Sequence, residues 1–140
     1  MTITNDSYHE DICVRVFISA HPSTGISQYY LSDPIFFTYP GEVKVINASP
    51  ADFSFYIPYG YPTWFTSGNF VWSCVQTVFN TPGYACFSTN SPWTTMLAPF
   101  YSGTIVESQL NADGYFNLYG PPGNGPNILW HNANEISLIP

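Results

Sequence analysis

Apolar and polar residues alternate along most of this chain with a period of two, the spacing of a β-strand. The cleanest case is residues 12–19. Val14, Val16 and Ile18 fall on one side, and Cys13, Arg15 and Phe17 on the other. Both sides are largely apolar, which predicts a central strand. The longest run is 69–79, where Val71, Ser73, Val75 and Thr77 alternate with Phe70, Trp72, Cys74, Gln76 and Val78. Shorter strands are expected over 26–31 and 35–38, split by Asp33-Pro34. Others follow over 42–47, after the Pro40-Gly41 turn, and over 52–57, after Ser49-Pro50. Residues 58–68 are irregular. Residues 84–88 read as the hairpin partner of the long strand, and 89–99 as a loop. Residues 102–110 read as a strand that turns at Asn111-Ala112-Asp113-Gly114, because Asp-Gly supplies the positive φ of a tight hairpin. Residues 115–119 return from it. Residues 120–126 are Gly, Pro and Asn only, hence a loop, and two short strands over 128–131 and 135–139 close the chain.

Thirteen prolines and ten glycines are spread through the length, and no 11-residue window shows a helical period free of them. About ten or eleven short strands follow, the signature of a sandwich or small barrel. The predicted fold is all-β: a single-domain antiparallel β-sandwich or small β-barrel over residues 1–140, with little or no helix. No fixed-period repeat points to a trefoil, propeller or solenoid.

Composition narrows the function. Only Arg15 and Lys44 are basic against nine acidic residues, for a formal net charge of -7. Charged residues are 8% of the chain, against roughly 25% in ordinary globular proteins. Two cations cannot build the basic stripe that phosphate binding draws on, which argues against nucleic acid and anionic membranes. Aromatic residues reach 19%. The surface must therefore be hydrogen-bonding and aromatic, suited to neutral partners such as glycans, or to copies of itself as a homo-oligomer. Trypsin-like proteases have two sites, so resistance to them is expected. The polar, acidic start lacks the features of a signal peptide, and no apolar run has the length of a transmembrane helix. A cytoplasmic or non-classically released chain is expected, unless a signal has been removed.

Cys13, Cys74 and Cys86 form no CxxC pair. Cys74 and Cys86 flank the turn-like Asn80-Thr81-Pro82-Gly83 and could be bridged across a hairpin; the other reading is three buried thiols acting as small hydrophobes. Asn5 and Asn47 head N-x-S/T sequons that matter only in a secreted chain. His9, His21 and His131 are scattered, and the acids are too sparse for calcium, so neither metal nor cofactor is expected. There is no GxSxG elbow and no phosphate-cradling glycine loop. A glycosidase pair could be drawn from Asp33, Asp52, Glu107 and Glu135, as from any chain with nine acids. The chain is expected not to be an enzyme.

The densest feature is residues 56–65, YIPYGYPTWF. Pro58 and Pro62 prevent ladder pairing there, so part of the run sits on a loop. Aromatic rings on a loop can stack on a sugar's C–H face while Asn, Asp and Ser bond its hydroxyls, and Tyr and Trp lose little entropy on contact. Alternatively, Tyr56, Trp64 and Phe65 plug the end of the barrel. Tyr59, Tyr61 and Trp64 are the candidate ligand platform. Trp93 on a second loop and Asn124 in the glycine-proline loop complete the candidate set, although the favoured reading of the latter loop is an ordinary connection whose glycines and prolines shape the turn. The expected function is non-catalytic, lectin-like carbohydrate binding. The alternatives are a self-assembling structural subunit of a coat, filament or crystal, and recognition of a zwitterionic membrane surface through interfacial Tyr and Trp.

Overall fold

The computed structural model describes residues 1–54, 60–80, 86, 92–100, 105, 107–116 and 122–140. Among these, nine strands form two sheets. The four-stranded sheet runs β5 (Val43–Val45), β1 (Thr2–Asn5), β9 (Glu135–Ile139) and β8 (Asn127–Asn132). The five-stranded sheet runs β3 (Tyr29–Leu31), β2 (Ile12–Ala20), β6 (Phe70–Phe79) and β7 (Thr94–Leu97), with β4 (Ile35–Phe37) also paired to β2. Two short helices, α1 (Thr63–Thr66) and α2 (Glu107–Ala112), complete the elements. The all-β sandwich expected from the alternation is what forms.

β2 is the central strand, and all nine of its residues are buried. Ile12, Val14, Val16 and Ile18 face the main core. There they meet Ile3 of β1, Ile128 of β8, and Ile136 and Leu138 of β9, joined by Phe37, Phe53, Trp64, Phe65, Trp72 and Val75. Burying such side chains contributes about 1.5–3 kcal/mol each, which makes this interface the main source of stability. The other face of β2 is also covered. Phe17 and Cys74 pack with Leu31, Ile105 and Leu110, while Cys13 and Val78 pack with Cys86 and Trp93. The five-stranded sheet is thus covered on both faces, which is why both sides of residues 12–19 are apolar.

Several expectations are corrected. The strict alternation of 69–79 fails at Ser73, where the β2–β6 register shifts and puts Trp72 and Val75 in the same core. Ser73 is the extra residue of this bulge; its Oγ accepts from Ser19 Oγ at 2.7 Å and donates to Phe17 O at 3.2 Å. Asp113-Gly114 ends a helix rather than turning a hairpin. Gly114 has φ 83°, its N–H donates to Asn111 O at 3.1 Å, and Tyr115 N donates to Leu110 O at 2.8 Å. That is a Schellman end, closed by contact between the Leu110 and Tyr115 side chains. The helix and the hairpin both need a positive φ after Asp, so the dipeptide alone does not separate them. Within the expected 89–99 loop, β7 pairs with β6. Residues 52–54 form a turn rather than a strand, because Asp52 Oδ2 accepts from Asn47 N at 2.8 Å. The expected strands over 84–88 and 115–119 lie outside the described residues, except Cys86, Tyr115 and Phe116, which are not in strands. β1 was not anticipated: it pairs antiparallel to β5 and parallel to β9.

Candidate functional site

The aromatic run folds on Pro62. Its carbonyl accepts from Phe65 N at 3.0 Å and Thr66 N at 3.2 Å, starting the single turn of α1. Proline is well placed here, since its fixed φ suits a helix start and no donor is lost. The turn drives Trp64 and Phe65 inward, each to 3% exposure. Trp64 stacks on Tyr30 with centroids 5.4 Å apart, and its Nε1 donates to Gln28 Oε1 at 3.0 Å. Phe65 meets Phe53 edge-on at 5.5 Å. Trp64 and Phe65 are therefore part of the core, while Tyr56 lies outside the described residues.

Tyr61 is placed differently. It is half-buried, and its ring stacks on Phe65 at 4.8 Å with an interplanar angle of 24°. One side of the ring is fixed by the core. Phe53, which meets Phe65, has polar chain neighbours that are tied to Asp33. Asp33, between β3 and β4, accepts from Ser54 N at 3.2 Å and Ser54 Oγ at 2.6 Å. Asp33 N donates to Asp52 O at 2.8 Å. Asp33, Asp52 and Ser54 thus form one hydrogen-bonded group, with Asn47 exposed beside Asp52. Tyr59 lies outside the described residues.

Trp93 belongs to the covering layer on the second face of the five-stranded sheet. Trp93 is 4% exposed and stacks on the Arg15 guanidinium, whose Cζ lies 4.0 Å from the ring centroid. Arg15 is itself 3% exposed; its Nε donates to Gln76 Oε1 at 2.6 Å, and Gln76 Nε2 donates to Thr95 Oγ1 at 2.9 Å and Tyr115 O at 2.8 Å. One of the two cations is thus a core residue. The other, Lys44, pairs with Glu42 at 3.3 Å. Asn124 works through its backbone: its N–H donates to Pro92 O at 2.6 Å, and its carbonyl accepts from Phe79 N at 2.8 Å. The structure therefore does not gather the five candidates into one site. Tyr61 and Trp64 both meet Phe65, Trp93 lies on the other face of the five-stranded sheet, and Asn124 sits at the end of β6 beside Phe79. The sequence offers Asp33 and Asp52 only as possible members of a carboxylate pair and does not single out Ser54; Asp52 and Ser54 flank Phe53 in the chain, and Asp33 reaches them from the β3–β4 connection.

The remaining groups are structural. Asn5 is fully buried; its Nδ2 donates to His9 O and Tyr39 O, both at 3.1 Å, so that sequon's amide is consumed by the fold. The Asn47 sequon is exposed. His131 Nε2 and Ser137 Oγ, 2.7 Å apart, tie β8 to β9. The cysteines are free, buried thiols, and Cys74 and Cys86 sit in separate clusters, in keeping with the reading of buried thiols and not with a bridge between these two. Burial pushes all three thiols up, away from the reactive thiolate. Among the described residues, no group of three or more His, Cys, Asp or Glu is placed to hold a metal ion. Among them, too, no helix is long and apolar enough to cross a membrane. In comparisons with known proteins, the chain matches no family model, no curated protein and no solved structure.

Proposed function

We propose that this chain is a non-catalytic, lectin-like carbohydrate-binding protein whose site is built on Tyr61, Asp33, Asp52 and Ser54. The observation that carries the reading is the half-buried Tyr61 ring, backed by Phe65 at 4.8 Å; Phe65 also meets Phe53, whose chain neighbours Asp52 and Ser54 are bonded to Asp33. A ring already fixed on one side loses little freedom when a sugar's C–H face covers the other. Carboxylates and hydroxyls supply directional acceptors and donors for sugar hydroxyls, and the near-absence of surface cations suits a neutral ligand. The test is a glycan array followed by Tyr61→Ala. The expected result is binding to a related set of glycans, weakened at least tenfold in the variant, with a melting temperature within a few degrees of the parent. A blank array, or undiminished binding by the variant, overturns the assignment.

A second reading is self-association, which rests on the outer face of the four-stranded sheet. Val43 is 55% exposed, Val45 63% and Leu129 44%. Thr2 and Thr4 pair with Val45 and Val43, and Leu129 pairs with Ser137, so these apolar positions share one uncovered face. Light scattering separates the two readings: a subunit that assembles through this face grows with concentration, and Val45→Lys stops the growth.

A further inference from the structure

Cys13 lies on the second face of β2, paired with Val78 of β6. Cys86 comes down on this pair together with Trp93, and the four side chains form one buried cluster. Cys13 is 0% exposed and Cys86 4%. The two thiols are close enough to interact, and Cys86 Sγ donates to Asn80 Oδ1 at 3.5 Å. Asn80 is itself tied down, its N–H donating to Asp11 O at 2.7 Å. Cys74 cannot compete for Cys13. It pairs with Phe17, four residues along β2 from Cys13, or about 13 Å at the rise of a strand. A disulfide needs Cα atoms within about 7 Å.

We propose that Cys13 and Cys86 are an oxidisable dithiol that closes to a disulfide when the chain meets a small disulfide oxidant such as oxidised glutathione, while Cys74 stays a thiol. In the first step, one cysteine thiolate attacks a sulfur of the oxidant. A mixed disulfide forms, and one glutathione thiolate leaves and takes up a proton. In the second step, the other cysteine thiolate attacks the protein-side sulfur and expels the second glutathione. Two protein S–H bonds are lost and one S–S bond is made; the oxidant's S–S bond is lost and two glutathione thiols are made. Burial keeps both cysteines protonated and covered, so the exchange is slow in the native chain and faster in mild urea, where the cluster opens. The closed bond ties Cys86 to the central strand and closes a loop that spans β2 to β6. A closure of that length raises the melting temperature by about 10 °C.

The test treats the whole chain with oxidised glutathione in mild urea, alkylates the remaining thiols under denaturing conditions, and reads mass and peptide map. Trypsin releases residues 1–15, which carry Cys13, from residues 45–140, which carry Cys74 and Cys86. Chymotrypsin then separates Cys74 from Cys86 by cutting after Phe79 or Tyr84. The expected result is a monomer lighter by two hydrogens, alkylated at Cys74 alone, with the Cys13 and Cys86 peptides linked. Cys74→Ala forms the same link, and Cys86→Ser stops at a glutathione adduct or does not react. A link through Cys74, a bond between chains, or stable glutathione adducts on the parent would each overturn the proposal, as would three alkylated thiols after oxidation in urea.

Discussion

Gly125→Ala probes how the glycine-proline loop is seated. An added Cβ would stand 2.4 Å from Thr77 O, 2.5 Å from Thr77 C and 2.6 Å from Thr77 Oγ1. Ordinary contact begins near 3.4 Å, so a gap of about 1 Å must open. Thr77 is fully buried in β6 and cannot yield, so the loop must move. The loop is held there by Thr77 Oγ1 donating to Pro126 O at 2.7 Å, by Thr94 Oγ1 donating to Gly125 O at 2.9 Å, and by Phe79 N donating to Asn124 O at 2.8 Å. Overpacking costs about 1–3 kcal/mol, and losing two of these bonds costs about 1 kcal/mol each. The reduced freedom of the unfolded chain offsets about 0.5–1 kcal/mol. The net loss is about 2–4 kcal/mol, or a melting temperature lowered by roughly 6–15 °C. Gly41→Ala is the control. Gly41 has φ +85° with nothing within 4 Å, so its cost is conformational only, about 1 kcal/mol. Thermal unfolding followed by circular dichroism reads both. If Gly125→Ala melts at or above Gly41→Ala, the loop is not pressed against β6 and the steric argument fails.

Two further outcomes follow from burial and charge. Trp64→Ala empties a core position and removes the donor to Gln28, so it should cost about 3–5 kcal/mol in urea unfolding; a cost under about 1 kcal/mol would make Trp64 a surface ring after all. Burial, followed by the hydrogen bond to Asp113, raises the Tyr29 hydroxyl above its usual 10.0. The folded chain then keeps a proton that the unfolded chain releases, so this stability is present below pH 10.0 and is lost as the pH rises past it. Tyr29→Phe should flatten the fall of the urea midpoint above pH 10.0, a fall to which the buried thiols contribute in the same direction. An unchanged slope refutes that account.

What could be read from the sequence was what one strand decides by itself. The two faces of β2 follow from alternation, because a period of two fixes which residues share a side. The bulge at Ser73 was not legible, since it arises from pairing with β2 and leaves no mark in residues 70–79. β1 was missed because Thr-Ile-Thr-Asn offers one apolar residue, Ile3, and becomes a strand only between β5 and β9. The aromatic run was found but not sorted. Whether Trp64 or Tyr61 faces outward depends on the turn that starts at Pro62, which the spacing of rings does not encode. The proposed site joins Tyr61 to residues 33 and 52–54, and no local pattern links those segments.

The pairing of β1 with β9 has a mechanical consequence. The two strands run parallel over four residue pairs, from Thr2 with Glu135 to Asn5 with Leu138. Tension between the start of β1 and the end of β9 pulls parallel neighbours in opposite directions along their length. The load then falls on all the rungs together, in shear, instead of peeling them apart one after another. A chain linked through these two positions into a larger structure would resist stretching until the whole ladder slid at once. β8 and β9, joined as an antiparallel hairpin, would unzip rung by rung under the same force.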